Sequence, residues 1–134
     1  MINLLDKKIN ILHVEDNDSI RKMVKFFLKK SKKINIINQS TIMGAKRYLK
    51  IDGCDPIDII ICDWMIPVWD AEHIIRDLYI LGKPVIFYTC LDEREIKSKV
   101  RKILGCFPRN FKHIQKGAEN NLLSLSEIIN DYCC

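Results

Sequence analysis

The chain predicts an α/β domain: a doubly wound, five-stranded parallel sheet with helices on both faces. Three observations carry this. Five short apolar runs alternate with five helical stripes along 134 residues, and such alternation closes into a parallel sheet through crossover helices. The run at 57–62, IDIIIC, is almost continuously apolar, as in a strand covered on both faces. The length and a 48% hydrophobic content suit one core and a single domain over residues 1–134.

The elements follow in order. Residues 9–14 (INILHV) read as the first strand. A helix is expected over 19–30, with Ile20, Met23, Val24, Phe27 and Leu28 on one stripe. Asn17 or Asp18 caps it, and Phe26 falls on its far side. Residues 34–37 (INII) form a short second strand. A weaker helix spans 41–51, with Ile42, Ala45, Tyr48 and Leu49 inward and Gly44 weakening it. The third strand is 57–62. The third helix covers 71–81, with Ile74, Ile75 and Leu78 inward, and Gly82 and Pro84 stop it. Residues 84–89 (PVIFYT) are the fourth strand.

A fourth helix over 92–104 turns Ile96, Val100, Ile103 and Leu104 inward and ends at Gly105. Asp92, Glu93 and Glu95 at its start and Arg101 and Lys102 at its end suit the helix dipole. A loop at 106–110 (CFPRN) leads to the fifth strand, 111–115 (FKHIQ). The last helix is 119–132, with Leu122, Leu125, Ile128, Ile129 and Tyr132 aligned.

Composition excludes several classes. A chain this rich in apolar residues is not disordered, and no run approaches the roughly 18 apolar residues of a membrane span. The net charge is +5, from 22 Lys+Arg against 17 Asp+Glu. Seven of those basic residues lie within 21–33: Arg21, Lys22, Lys25, Lys29, Lys30, Lys32 and Lys33. The rest of the chain, with 15 basic and 17 acidic residues, is net −2. The surplus therefore belongs to one helix, and it reads as a protein-docking face. No recognition motif or aromatic stacking set supports nucleic-acid binding there.

Six cysteines, at 54, 62, 90, 106, 133 and 134, show no Cys-x-x-Cys spacing, so neither zinc nor a disulfide framework is expected. Cys62 and Cys90 read as small hydrophobes at apolar strands. No signal peptide is evident at the N-terminus, and a cytoplasmic location with reduced thiols is expected.

In a parallel sheet, ligands bind at the carboxyl ends of the strands. The first strand ends in Glu15 and Asp16, the third in Asp63, the fourth in Thr89, and the fifth is followed by Lys116. Three neighbouring carboxylates repel unless a cation joins them. Hard oxygens without His or Cys favour Mg2+, which keeps waters and leaves room for a phosphate. Thr89 offers a hydroxyl, and Lys116 a compact charge for a phosphoryl oxygen.

HVEDND, ICDWMIPVWD, FYTC and HIQKG, in this order and each at a strand end, resemble the receiver domain of bacterial two-component response regulators, of the chemotaxis-regulator kind. The resemblance covers nearly the whole chain. It implies a flavodoxin-like strand order, 2-1-3-4-5. It also implies that Asp63 is the phosphoacceptor and that Glu15 and Asp16 organise Mg2+, Asp16 directly and Glu15 through water. The backbone carbonyl of Met65 would complete the metal site. Thr89 matches the switch hydroxyl, Lys116 the lysine on the phosphoryl group, and Pro67 the proline shaping the loop. The chain would be a signalling domain rather than an enzyme, catalysing only its own phosphoryl transfer and a slow self-dephosphorylation.

The partner implied is a sensor histidine kinase or histidine phosphotransfer protein. It would dock on the basic first helix through Arg21, Lys22, Lys25, Phe26 and Lys29. A homodimer through the fourth helix, fifth strand and last helix is a further expectation. A phosphorylation-independent interaction module of the same fold is the alternative. An aspartyl-phosphate hydrolase is rejected, because Met65 stands where such an enzyme has a second Asp.

Four features depart from the family pattern. Gly117 replaces the usual proline after the lysine, so the often-cis bond there is in question. Ala71 replaces a glycine. His113 stands where an aromatic that couples to the threonine is common. The 27 residues from Thr89 to Lys116 exceed the expected spacing, with the excess placed near 105–110. Met65 and Leu91 are apolar where family members influence attack of water on the acyl phosphate, which implies slow self-dephosphorylation.

Overall fold

The structure is a computed structural model that describes residues 8–30, 33–50, 56–117 and 121–133. Ten main elements alternate along it: β1 (Ile9–Val14), α1 (Asp18–Leu28), β2 (Ile34–Gln39), α2 (Ile42–Lys50), β3 (Ile59–Cys62), α3 (Ile75–Leu81), β4 (Val85–Thr89), α4 (Glu93–Leu104), β5 (Phe111–Gln115) and α5 (Asn121–Cys133). The strands form one sheet in the order β2-β1-β3-β4-β5, and every pairing is parallel. This is the fold class and strand order expected. Residues 54, 118–120 and 134, with the side chain of Cys133, lie outside the described part.

Alternation along each strand sends side chains to opposite faces, and the sheet carries a core on each. On the side of α2, α3 and α4, the sheet residues Leu12, Val14, Ile60, Cys62, Val85, Phe87 and Phe111 pack against Ile42, Ala45, Ile74, Ile75, Leu78, Ile96 and Val100. On the side of α1 and α5, Ile11, Ile59, Ile61, Ile86, Tyr88 and Ile114 meet Val24, Leu28, Leu125 and Ile129. The central strands β3 and β4 are buried throughout, which is why they read as unbroken apolar runs.

Several boundaries shift for local reasons. β3 starts at Ile59, two residues later than expected, because Asn10 N–H donates to the Asp58 side chain (Oδ2, 2.8 Å) instead of continuing the backbone ladder, while Asp58 N–H still donates to the Asn10 carbonyl at 2.8 Å. β2 runs on to Gln39, pairing Asn38 and Gln39 with His13 and Val14, as an edge strand permits. The third helix opens as a 3-10 turn at Ala71–His73, capped by Asp70, whose Oδ1 accepts from Glu72 N at 3.0 Å. Asn17 rather than Asp18 caps α1, its Oδ1 accepting from Ile20 N at 3.0 Å.

Met23 lies at the exposed flank of its stripe, because α1 is buried through Val24 and Leu28. Cys90 falls one residue beyond β4 and is exposed, so it is not the small core hydrophobe expected. The extra length before β5 folds as a segment that packs Phe107 edge-on against Phe111, ring centroids 6.0 Å apart. Among the described residues, no helix is long and apolar enough to cross a membrane.

Candidate functional site

Strand register brings the predicted residues to one edge. Val14 is opposite Cys62, Cys62 opposite Phe87 and Thr89 opposite Gln115. The residues just past those pairs are therefore neighbours. Asp63 N–H donates to the Val14 carbonyl at 3.0 Å, and Lys116 N–H to the Thr89 carbonyl at 2.8 Å.

Lys116 ties the site together. Its Nζ donates to Glu15 Oε1 and also to Asp63 Oδ2, the latter at 2.9 Å. Asp63 Oδ1 accepts from Met65 N–H at 3.3 Å. Glu15 is buried, and its second oxygen, Oε2, has no hydrogen-bond partner among the described residues. Asp16 is exposed beside them. One oxygen from each of Glu15, Asp16 and Asp63 lies within 4.8 Å of the others. Three carboxylates against one ammonium, with a buried oxygen unpartnered, fit a divalent cation held by hard oxygen ligands.

Two buried groups, His13 on β1 and Glu15 just past its end, are shifted in opposite directions. Burial pushes the Glu15 carboxyl up to about 7, with the Asp63 charge adding to the rise and the Lys116 bond opposing it. Burial, reinforced by the Lys116 charge, pushes the His13 imidazole down to about 4. His13 is thus a buried neutral histidine, with Nδ1 unpartnered among the described residues. For Lys116, burial alone would lower the ammonium's pKa. The bonds from Glu15 and Asp63 outweigh it, and the net shift is upward.

The loops around the acids are braced. Arg21 Nη1 donates to the Glu15 carbonyl at 2.8 Å, and Nη2 to Asp18 Oδ1 at 3.1 Å. Thr89 is fully buried, with Oγ1 accepting a long bond from Leu91 N–H at 3.5 Å. Trp64, 3% exposed, packs on Phe87 with centroids 5.8 Å apart, while Trp69 stacks on His73 at 5.0 Å. Lys112, the nearest alternative to Lys116, points elsewhere, over the Tyr132 ring.

Gly117 sits at φ +103°, and no cis peptide bond occurs among the described residues. Proline is locked near φ −65°, so this turn is closed to the residue the family usually has there. Glycine accepts it without a Cβ clash.

Three features escaped the sequence reading. Val68 adopts φ +73° while 97% exposed, an unusual state for a β-branched residue. No sequence signal marks it. Gln115 bonds the Cys90 carbonyl and His113 the Leu91 carbonyl. Their two-residue spacing on a strand was the available hint.

No family model matches the sequence, and a search of curated proteins gives no match. Solved structures do resemble the fold. The receiver domain of the Francisella response regulator 1452 is 21% identical, with a TM-score of 0.69 over 93% of this chain and 96% of its own. The Vibrio cholerae chemotaxis protein CheY4 is 20% identical, with a TM-score of 0.70 over 93% and 98%. The Mn2+-bound form of response regulator Rcp1 is 18% identical, with a TM-score of 0.71 over 90% and 91%. This chain has the fold of response regulator receiver domains.

Proposed function

We propose that residues 1–134 are a single receiver domain that accepts a phosphoryl group on Asp63 from a phosphohistidine of a partner protein. The observation that supports it most is Lys116 Nζ bridging Glu15 and Asp63 beside a buried, unpartnered Glu15 oxygen. A lysine and three acids at the edge of a parallel sheet are suited to a phosphate group and a metal at once.

In this reading an Asp63 carboxylate oxygen forms the new O–P bond. The P–N bond to the donor histidine breaks, and its electron pair stays on the imidazole nitrogen. The transition state is loose, so positioning and charge neutralisation do most of the work. Lys116, already hydrogen-bonded to Asp63, would shift from carboxylate to phosphoryl oxygen. The Met65 N–H holds the other Asp63 oxygen. Glu15, Asp16, Asp63 and the Met65 carbonyl would hold Mg2+, Asp16 directly and Glu15 through water. Bound there, Mg2+ neutralises charge on the equatorial oxygens. Thr89 supplies the hydroxyl that reads the acyl phosphate.

The donor, a sensor histidine kinase or histidine phosphotransfer protein, would dock on α1. Phe26 is 74% exposed there, on a helix that also carries exposed Lys22 and Lys29. An apolar anchor ringed by lysines suits a partner with an acidic rim. This reading places the chain in the cytoplasm, where such donors act.

Beryllofluoride with Mg2+ tests the site, read by tryptophan fluorescence because Trp64 adjoins Asp63. A saturable, Mg2+-dependent change, absent in Asp63→Asn, is expected. No Mg2+-dependent change in the parent contradicts the proposal.

A further inference from the structure

Near the carboxyl ends of the strands, three side chains fall in a row. Val14 is opposite Cys62, and Cys62 opposite Phe87. Glu15, Asp63 and Tyr88, each one residue further on, are therefore neighbours, and Tyr88 is itself opposite Ile114 on β5. Ile11, Ile61, Ile86 and Tyr88 pack on the α1 and α5 face, and period-two alternation puts Glu15 and Asp63 on the same side. Lys116 follows β5 at the far end of this row. Its ammonium reaches Asp63 at 2.9 Å, and Glu15 beyond it. In a sheet ordered β1-β3-β4-β5, that side chain crosses the end of the strand that carries Tyr88.

The Tyr88 ring lies under that span. Lys116 Nζ sits over it, 5.6 Å from its centroid, within reach of a cation–π contact. Tyr88 is 4% exposed and the Lys116 side chain 9%, so the contact is shielded from water, where such attraction is strongest. An ammonium has three donors on a flexible four-carbon stem. Two of them go to Glu15 and Asp63, and the ring presents its π-face to the charge besides. Burial pushes the Tyr88 phenol above its ordinary value, with the Lys116 charge opposing the rise, so the ring meets the ammonium as a neutral phenol. Ile86, two residues earlier on the same face, is an ordinary core residue. The charge over its ring sets Tyr88 apart.

We propose that Tyr88 is a positioning residue, whose ring is a platform holding the Lys116 ammonium beside Asp63 and ready for a phosphoryl oxygen. On phosphorylation the ammonium exchanges a carboxylate oxygen for a phosphoryl oxygen. A ring face attracts the charge without a directed bond, so the ammonium can turn between the two acceptors and keep its place. This role rests on Asp63 being the phosphoacceptor. The platform under Lys116 does not.

The test compares the parent with Tyr88→Phe, which keeps the ring, and Tyr88→Leu, which removes it. Both are also made in Lys116→Met. Tyr88 is buried, so thermal melts check each protein, and Tyr88→Met replaces Tyr88→Leu where the latter does not fold. Acetyl phosphate with saturating Mg2+ gives phosphorylation rates, and calorimetric titration gives Mg2+ affinity. The proton shifts of the Lys116 Cε methylene, measured without phosphate, report the ring directly, because a ring current moves protons above its face upfield.

In the parent and Tyr88→Phe, the Lys116 methylene lies upfield of the other lysines, and the two phosphorylation rates agree within about twofold. In Tyr88→Leu the upfield shift is lost and the rate falls about fivefold, while Mg2+ affinity does not fall. In Lys116→Met the same substitution lowers the rate no further. A parent-like rate in Tyr88→Leu overturns the proposal, and so does a Tyr88→Phe rate as low as that of Tyr88→Leu. An equal fall in the Lys116→Met background, or a fall in Mg2+ affinity with the rate, overturns it too, because Tyr88 would then act without Lys116. A parent with the upfield shift that takes no phosphoryl group contradicts both the phosphoacceptor reading and the positioning role, and leaves the platform standing.

Discussion

The two halves of the sheet's upper edge differ in how fully their polar groups are satisfied. At β1 and β3, Glu15 Oε2 and His13 Nδ1 are buried without hydrogen-bond partners among the described residues. One lysine serves two carboxylates there. At β4 and β5, every carbonyl from Thr89 to Leu91 is bonded. Open hydrogen-bonding capacity inside a protein costs stability and persists where a ligand will use it. Saturated capacity builds a frame. The difference suits the first half to the proposed ligand and gives the second the rigidity of a frame.

Removing the bridge breaks the comparison hardest. Lys116→Met takes the only cation bonded to Glu15 and Asp63 among the described residues. The phosphorylation rate with acetyl phosphate should fall about 100-fold, while Mg2+ affinity rises, because no ammonium competes for the carboxylates. A parallel fall in both would mean that Lys116 only supports the fold. Calorimetric Mg2+ titration beside phosphorylation kinetics separates the two.

A smaller effect concerns water. The Met65 side chain is 61% exposed beside Asp63 and cannot orient a water by hydrogen bonding. Phosphate release from the parent should take minutes or longer, and Met65→Gln should hasten it about tenfold. Release from the parent within seconds contradicts this. Loss of label from the phosphorylated protein measures it.

The smallest effect sharpens the contrast by pH. Glu15, raised to about 7, contributes stability that is present at acid pH and is lost as pH rises from 4.5 to about 7. His13, lowered to about 4, contributes stability that is present above 6.5 and is lost as pH falls toward 4. The two slopes oppose each other across the shared window. His13→Leu removes one, so the variant should gain stability relative to the parent as pH falls from 6.5 to 4.5. Urea melts at the two pH values check the sign.

Much of the fold was legible because its signals are local. Buried strands at 59–62 and 85–89 need continuous apolar runs. Asp92 before α4 and Gly105 after it mark that helix's ends. The candidate site residues could be placed together because strand ends converge by topology alone. What escaped depends on tertiary neighbours. Cys90 looks like part of an apolar strand until the chain turns away after Thr89. The two-residue spacing puts His113 and Gln115 on one face of a strand, but the reach of the Gln115 amide to Cys90 depends on the register between β4 and β5. Val68 takes its left-handed backbone from a loop pinned at both sides, at Met65 by Asp63 and at Ala71 by the Trp64 carbonyl.

Asp63 is the proposed phosphoacceptor, with Mg2+ as its metal. Intact-mass spectrometry after incubation with acetyl phosphate tests it most directly. One added phosphoryl group is expected, dependent on Mg2+, labile to hydroxylamine as an acyl phosphate is, and absent in Asp63→Asn. An unmodified parent, or equal modification of Asp63→Asn, would contradict it.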